Sequence, residues 1–141
     1  MISETVRPQP DRRVLEWLRR VTDDDLHLSV LSLGEIRKGI ALLPDGTRRE
    51  KLQKWLEQDI RGWFADRLLP ISAEVADRWG RMAAEAGRPL PAVDSLIAAT
   101  ALHHGLRVVT RNAEDFRFPG VEVIDPWDTA TDPPPPSTMP A

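Results

Sequence analysis

The sequence predicts an α/β domain built on a parallel sheet, and three observations carry that expectation. Short apolar runs of strand type, at 26–31, 106–110 and 121–124, alternate with segments whose apolar residues recur at helical spacing. Alternation of this kind sets helices against a sheet whose strands run the same way. The chain has 141 residues, 41% hydrophobic and 29% charged, which is the size and composition of one globular domain with one core. Finally, its most conspicuous polar residues fall near strand ends or helix starts, where parallel sheets bind their ligands.

The bulk numbers narrow the function. A net charge of −3 excludes a chain that binds nucleic acid through overall positive charge, so any such contact must use a local patch or a metal. With no cysteine there is no disulfide, no thiolate catalysis and no Cys-ligated zinc. The opening residues, Met1 to Pro8, lack the apolar run of a signal peptide, and no stretch approaches the ~20 apolar residues that span a bilayer. The expectation is a soluble, cytoplasmic protein with no membrane partner.

Residues 1–10 are polar and broken by Pro8 and Pro10. From Asp11, Val14, Trp17, Leu18 and Val21 mark a first amphipathic helix, which Thr22 to Asp25 ends before the strand at 26–31. Ser32 to Glu35 is expected to cap the next helix, with Leu33, Ile36, Ile40 and Leu43 inward, up to the turn Pro44-Asp45-Gly46. From Thr47 to Phe64 a long helix carries the stripe Leu52, Trp55, Leu56, Ile60, Trp63 and Phe64. After a weak extended piece at 68–71, Ser72 caps a helix with Val75, Ala76, Trp79, Met82, Ala83 and Ala86 inward, stopped by Gly87 and Pro89.

The helix after Pro91 is apolar nearly all round, which marks it as buried. Yet Asp94 shares a face with Ile97, Ala98, Ala101 and Leu102. A carboxylate there must cap its helix, pair with a cation or bind a metal, because burying it alone costs several kcal/mol. Gly105 closes that helix. The β-branched strand to Thr110, the polar turn Arg111 to Asp115 and a last strand at 121–124 follow. The division expected is a domain over 1–128 and a proline-rich disordered tail over 129–141.

Glu35, Asp94 and Asp115 thus come from three strand-to-helix edges, with Asn112 and Thr110 beside the last. Each has an ordinary reading: a capping box with Ser32 for Glu35, the helix dipole for Asp94, and turn formation for Asp115 and Asn112. Together they form an oxygen-only donor set of the kind Mg²⁺ or Mn²⁺ takes, and carboxylates gathered without an ion would repel. Phosphodiester hydrolysis is the natural reaction of such a set. His103 and His104, about 100° apart on a helix, cannot clamp one metal from the same face. The tryptophans fall mainly on apolar stripes, and the paired arginines read as solvated faces, with phosphate guiding as the alternative.

These residues resemble the PIN-domain ribonucleases of VapC type, the toxins of type II toxin-antitoxin pairs, above all the FitB-like branch. The resemblance rests on Ile2-Ser-Glu4, Arg7-Pro-Gln-Pro10, Leu28 to Ile40, Ala92 to Ala101, Val109 to Phe116 and Asp125-Pro-Trp127. It implies a three-layer α/β/α fold and a Mg²⁺- or Mn²⁺-dependent endoribonuclease. Glu35, Asp94 and Asp115 would be its catalytic metal ligands, supported by Asn112 and Thr110. It also implies an RNA substrate, a cognate antitoxin, a homodimer, and operator DNA reached through the antitoxin. One departure is expected to matter. The family opens with a strand whose aspartate is a metal ligand, and Met1 stands just past it. The sequence therefore leaves two readings: a nuclease toxin whose start lies further upstream, or a ligand-deficient module that binds an antitoxin and co-represses its operon without cutting RNA.

Overall fold

The computed structural model describes residues 26–110 and 112–125, together with the backbone of 138–140. The helix expected from Asp11, Trp127 and the proline run lie outside the described residues. Strand β1 is Leu28–Ser29 and passes at once into α1, Val30–Ala41. The strand is shorter than the apolar run suggests because Ser29, extended at φ −70° and ψ 142°, caps the helix and accepts from the Leu31 amide at 3.1 Å. Ser32 is therefore not the cap. It lies inside the first turn, and the expected capping box with Glu35 does not form.

Helix α2 (Thr47–Lys54) runs on through a π-helical segment, Trp55–Ile60, into the short α3, Arg61–Trp63. The sequence explains the wide turn. Leu52, Leu56, Ile60 and Phe64 recur every fourth residue, and in an α-helix such a stripe drifts roughly 40° per step. A wider turn rotates the stripe back, which keeps Leu56, Ile60 and Phe64 buried together. Trp63, expected on that stripe, is 40% exposed. Strand β2 (Leu68–Leu69) follows, then α4 (Ala73–Ala86), capped by Ser72 and closed by Gly87 at φ 64°. Of the inward residues expected there, Val75 is buried, whereas Ala76 and Ala86 are exposed.

Helix α5 is Ala92–His104, closed by Gly105 at φ 65°, and its residues Ser95 and Ile97 to Ala101 are all buried. Trp79 of α4 donates to Ser95 Oγ at 2.8 Å, which pins the two helices together. Strand β3 (Arg107–Val109), the 3₁₀ turn Ala113–Phe116, β4 (Val123–Ile124) and β5 (Thr138–Pro140) complete the described chain. All pairings are parallel: β1 with β2, and β3 with β4 on one edge and β5 on the other. Within the segment expected as a disordered tail, Thr138–Pro140 thus joins the sheet.

Alternation on β3 shows the layering. Val109 packs with Leu28, Ile40, Leu56, Ile60, Phe64 and Ile124, on the side of α1 and α2. Val108 packs with Ile97, Ala98, Ala101 and Phe116, on the side of α5. Successive strand residues point to opposite faces, so the sheet is covered on both. This is the three-layer α/β/α arrangement expected.

Candidate active site

Parallel strands deliver their carboxyl ends to one edge, and the sequence-predicted residues gather there. Asp94 sits in the first turn of α5, whose N-cap, Pro91, makes no side-chain capping bond. Its side chain is half-buried and, among the described residues, makes no hydrogen bond or ion pair. The Asp94 carboxyl is held above its ordinary range, first by burial, then by the charge of Asp115, then by that of Glu35. A helix start would lower it. Desolvation and like charge outweigh the dipole here, so Asp94 stands in the field of Asp115 and Glu35.

Glu35 is exposed on the second turn of α1, carried there directly by β1. One turn earlier on the same face, the Ser32 hydroxyl is buried with no hydrogen-bond partner among the described residues. Sequence reasoning gave Ser32 only a capping role and did not anticipate an unpartnered buried hydroxyl one turn from Glu35. Thr110 is buried beyond β3; its amide donates to Ile124 O at 3.0 Å, and its Oγ1 accepts from the Asn112 amide at 3.0 Å. Its hydroxyl therefore shapes the turn that presents Asn112 and Asp115. The Asp115 amide donates to Asn112 O at 3.0 Å, while buried Phe116 anchors the turn and leaves the Asp115 side chain exposed.

Asp125 directly follows β4 at the same edge and is half-buried, a placement the sequence reading did not use. It is not among the charges that raise Asp94. His103 and His104 are exposed at the far end of α5, with rings 4.9 Å apart and nearly perpendicular. A groove of about 1070 Å³ also lies at that end, between α4, Leu102 and Phe118, and contains none of the predicted acids.

The donor chemistry fits a hard divalent cation: carboxylates, an amide and a hydroxyl, all oxygen donors. Among the described residues, however, no group of three or more His, Asp or Glu side chains is drawn tightly enough to hold an ion.

Comparison with known proteins supplies the lineage. The PIN domain family matches residues 1–120. The chain is 40% identical over 130 residues to Toxin FitB of Neisseria gonorrhoeae, covering 90% of this chain and 94% of that protein. It is 35% identical over 133 residues to VapC ribonuclease Y4jK of Sinorhizobium fredii, covering 92% and 95%. Among solved structures, FitAB bound to an IR36 DNA fragment is similar with a TM-score of 0.82 and 38% identity, covering 90% of this chain and 91% of that one. The buried α5 that carries Asp94, the turn that carries Asp115 and the sheet joining them are thus those of a chain that belongs to the PIN domain family.

Proposed function

We propose that the protein is a metal-dependent endoribonuclease toxin of a type II toxin-antitoxin pair. The observation that carries this reading is Asp94, a carboxylate whose proton affinity is raised first by its partial burial and then by the charges of Asp115 and Glu35. Such a cluster is unfavourable in the free protein and is relieved by a cation. Glu35, Asp94 and Asp115 would hold Mg²⁺ or Mn²⁺, with Asn112 and Thr110 shaping the turn beside them. The ion supplies charge stabilisation on the phosphate oxygens and a lowered pKa for attacking water. The chain's own work is positional. The buried body of α5 fixes Asp94, the Phe116 anchor fixes Asp115, and the β1-to-α1 junction fixes Glu35. With a net charge of −3, the protein needs that cation to meet an RNA backbone at this edge.

The similarity to Toxin FitB and to a FitAB complex on DNA supports a partner antitoxin and, through it, operator DNA. A homodimer and a cytoplasmic site of action belong to the same reading. One observation favours the alternative of a non-catalytic antitoxin-binding module: the described acids are not drawn into a ligand shell. Ribonuclease assays separate the two. Cleavage should require Mg²⁺ or Mn²⁺, stop with EDTA, and fall by about 100-fold or more in Asp94→Ala with the fold retained by circular dichroism. Cleavage indifferent to EDTA and to Asp94→Ala would refute the nuclease site. No cleavage, with tight antitoxin binding, would select the non-catalytic module.

A further inference from the structure

Helices α1, α4 and α5 open differently. Ser29 caps α1 by accepting from the Leu31 amide at 3.1 Å, and Ser72 caps α4 by accepting from the Val75 amide at 3.2 Å. Helix α5 has no such cap, because Pro91 offers no side-chain acceptor. Its first turn nevertheless carries Asp94, whose carboxylate makes no hydrogen bond or ion pair among the described residues. A side chain without partners is aimed only by the backbone beneath it. The integrity of this one turn therefore decides where the carboxylate points.

A hydrogen-bond path from inside the protein takes the place of the missing cap. The Ser95 amide donates to Pro91 O at 3.0 Å, and the Ser95 hydroxyl donates to the same carbonyl, with Ala92 O as a second acceptor at 3.1 Å. One residue thus ties together both ends of the turn that holds Asp94. The Ser95 side chain is completely buried, so the lone pairs of its hydroxyl also need a partner. Trp79 of α4, sixteen residues away in sequence, supplies it by donating from Nε1 at 2.8 Å. An indole N–H donates and cannot accept, which fixes the direction of the path from indole to hydroxyl to carbonyl. A donor arriving at the hydroxyl also strengthens the bond that the hydroxyl makes onward.

We infer that Trp79 is a positioning residue for Asp94: its indole N–H, through the Ser95 hydroxyl, locks the uncapped first turn of α5 and sets the direction of the carboxylate. Trp79 acts from a helix that carries none of Glu35, Asp94 and Asp115. The inference rests on the reading of Asp94 as a metal ligand, and the Asp94→Ala control separates the failure of one from the failure of the other.

Mn²⁺ binding by isothermal titration calorimetry, on the full chain and without RNA, tests it. Trp79→Phe keeps a large aromatic ring and removes the donor. It should weaken Mn²⁺ by about tenfold, the lower end of the loss on removing an outer-shell partner. Ser95→Ala should do the same, and the double variant should lose no more than either alone, because both delete one path. If Trp79→Phe fails to fold, Ser95→Ala carries the test. In the metal-free protein, the Ser95 amide should exchange about tenfold faster in Trp79→Phe. Met82, on the same helix, packs against the cluster beneath α5. Met82→Ala should lower Tm and leave Mn²⁺ affinity within about twofold. Loss of Mn²⁺ binding in Asp94→Ala, with unchanged affinity in Trp79→Phe and Ser95→Ala, would overturn this inference alone. An equal loss in Met82→Ala would reduce Trp79 to ordinary packing and overturn it too. Asp94→Ala binding Mn²⁺ as well as the unmodified chain would overturn the metal reading and this inference with it.

Discussion

Asp94 is the residue on which the site's energetics turn. Its carboxyl is raised above the ordinary range in the fold, so the ionised form destabilises the native state. That cost is fully present above the folded pKa. It disappears as pH falls through the folded value toward the ordinary carboxylate range. Removing a neighbouring charge should therefore help the metal-free protein. In urea titrations at pH 7 with EDTA, Asp115→Asn and Glu35→Gln should each raise stability by a few tenths of a kcal/mol, a small gain because water screens exposed charges. The gain should vanish at a pH low enough to protonate Asp94 in both proteins. An equal loss at pH 7 would show that these acids stabilise the fold rather than strain it. Neither Ser32 nor Ser29 could be assigned its role from sequence, because two serines three residues apart both satisfy the capping preference. The extended backbone of Ser29 decides between them.

Among the elements, α5 does most to place the site. Its buried face is mainly small residues, with Ala98 and Ala99 fully enclosed, so the helix approaches β3 and α4 closely. Ser95 adds a directed contact: it accepts from Trp79 Nε1 and donates to Pro91 O, just ahead of Asp94. Ala98→Leu should overpack this contact and cost about 1–3 kcal/mol in chemical denaturation. A neutral result would show slack around the helix that carries Asp94. The π-helical stretch of Trp55–Ile60 has the opposite origin, a side-chain period that the α-helix cannot keep on one face. Its stripe was legible in the sequence. The change of helix type, which depends on Leu56, Ile60 and Phe64 meeting one core, was not.

At the scale of the whole molecule, two apolar clusters on opposite faces of a layer made of a two-stranded and a three-stranded parallel sheet hold the acidic edge. Phe64 is completely buried beneath β1 and β3, in the cluster that also holds Leu28, Val109 and Ile124. Phe64→Ala should remove about 3–5 kcal/mol, a large share of a typical domain's stability of ~5–15 kcal/mol. Thermal melts should show a marked fall in Tm; an unchanged Tm would mean that this cluster does not support the sheet. The sheet also shows what sequence patterning misses. The short runs at 28–29, 68–69 and 107–109 were recognisable by apolar and β-branched character, whereas Thr138-Met-Pro140 has no strand signature. It pairs with β3 all the same, with Met139 set against Val108.

The sequence by itself determined the α/β class, the two-faced burial and the helix closures at Gly87 and Gly105. These follow from local periodicity, capping chemistry and the fixed direction of parallel strands. Only the tertiary structure decided that Asp94 stands in the field of Asp115 and Glu35, that Ser29 rather than Ser32 caps α1, and that Thr138–Pro140 pairs with β3. Each of those outcomes depends on groups distant in sequence becoming close in space. Electrostatic fields and backbone pairing register that closeness, and residue spacing along the chain does not.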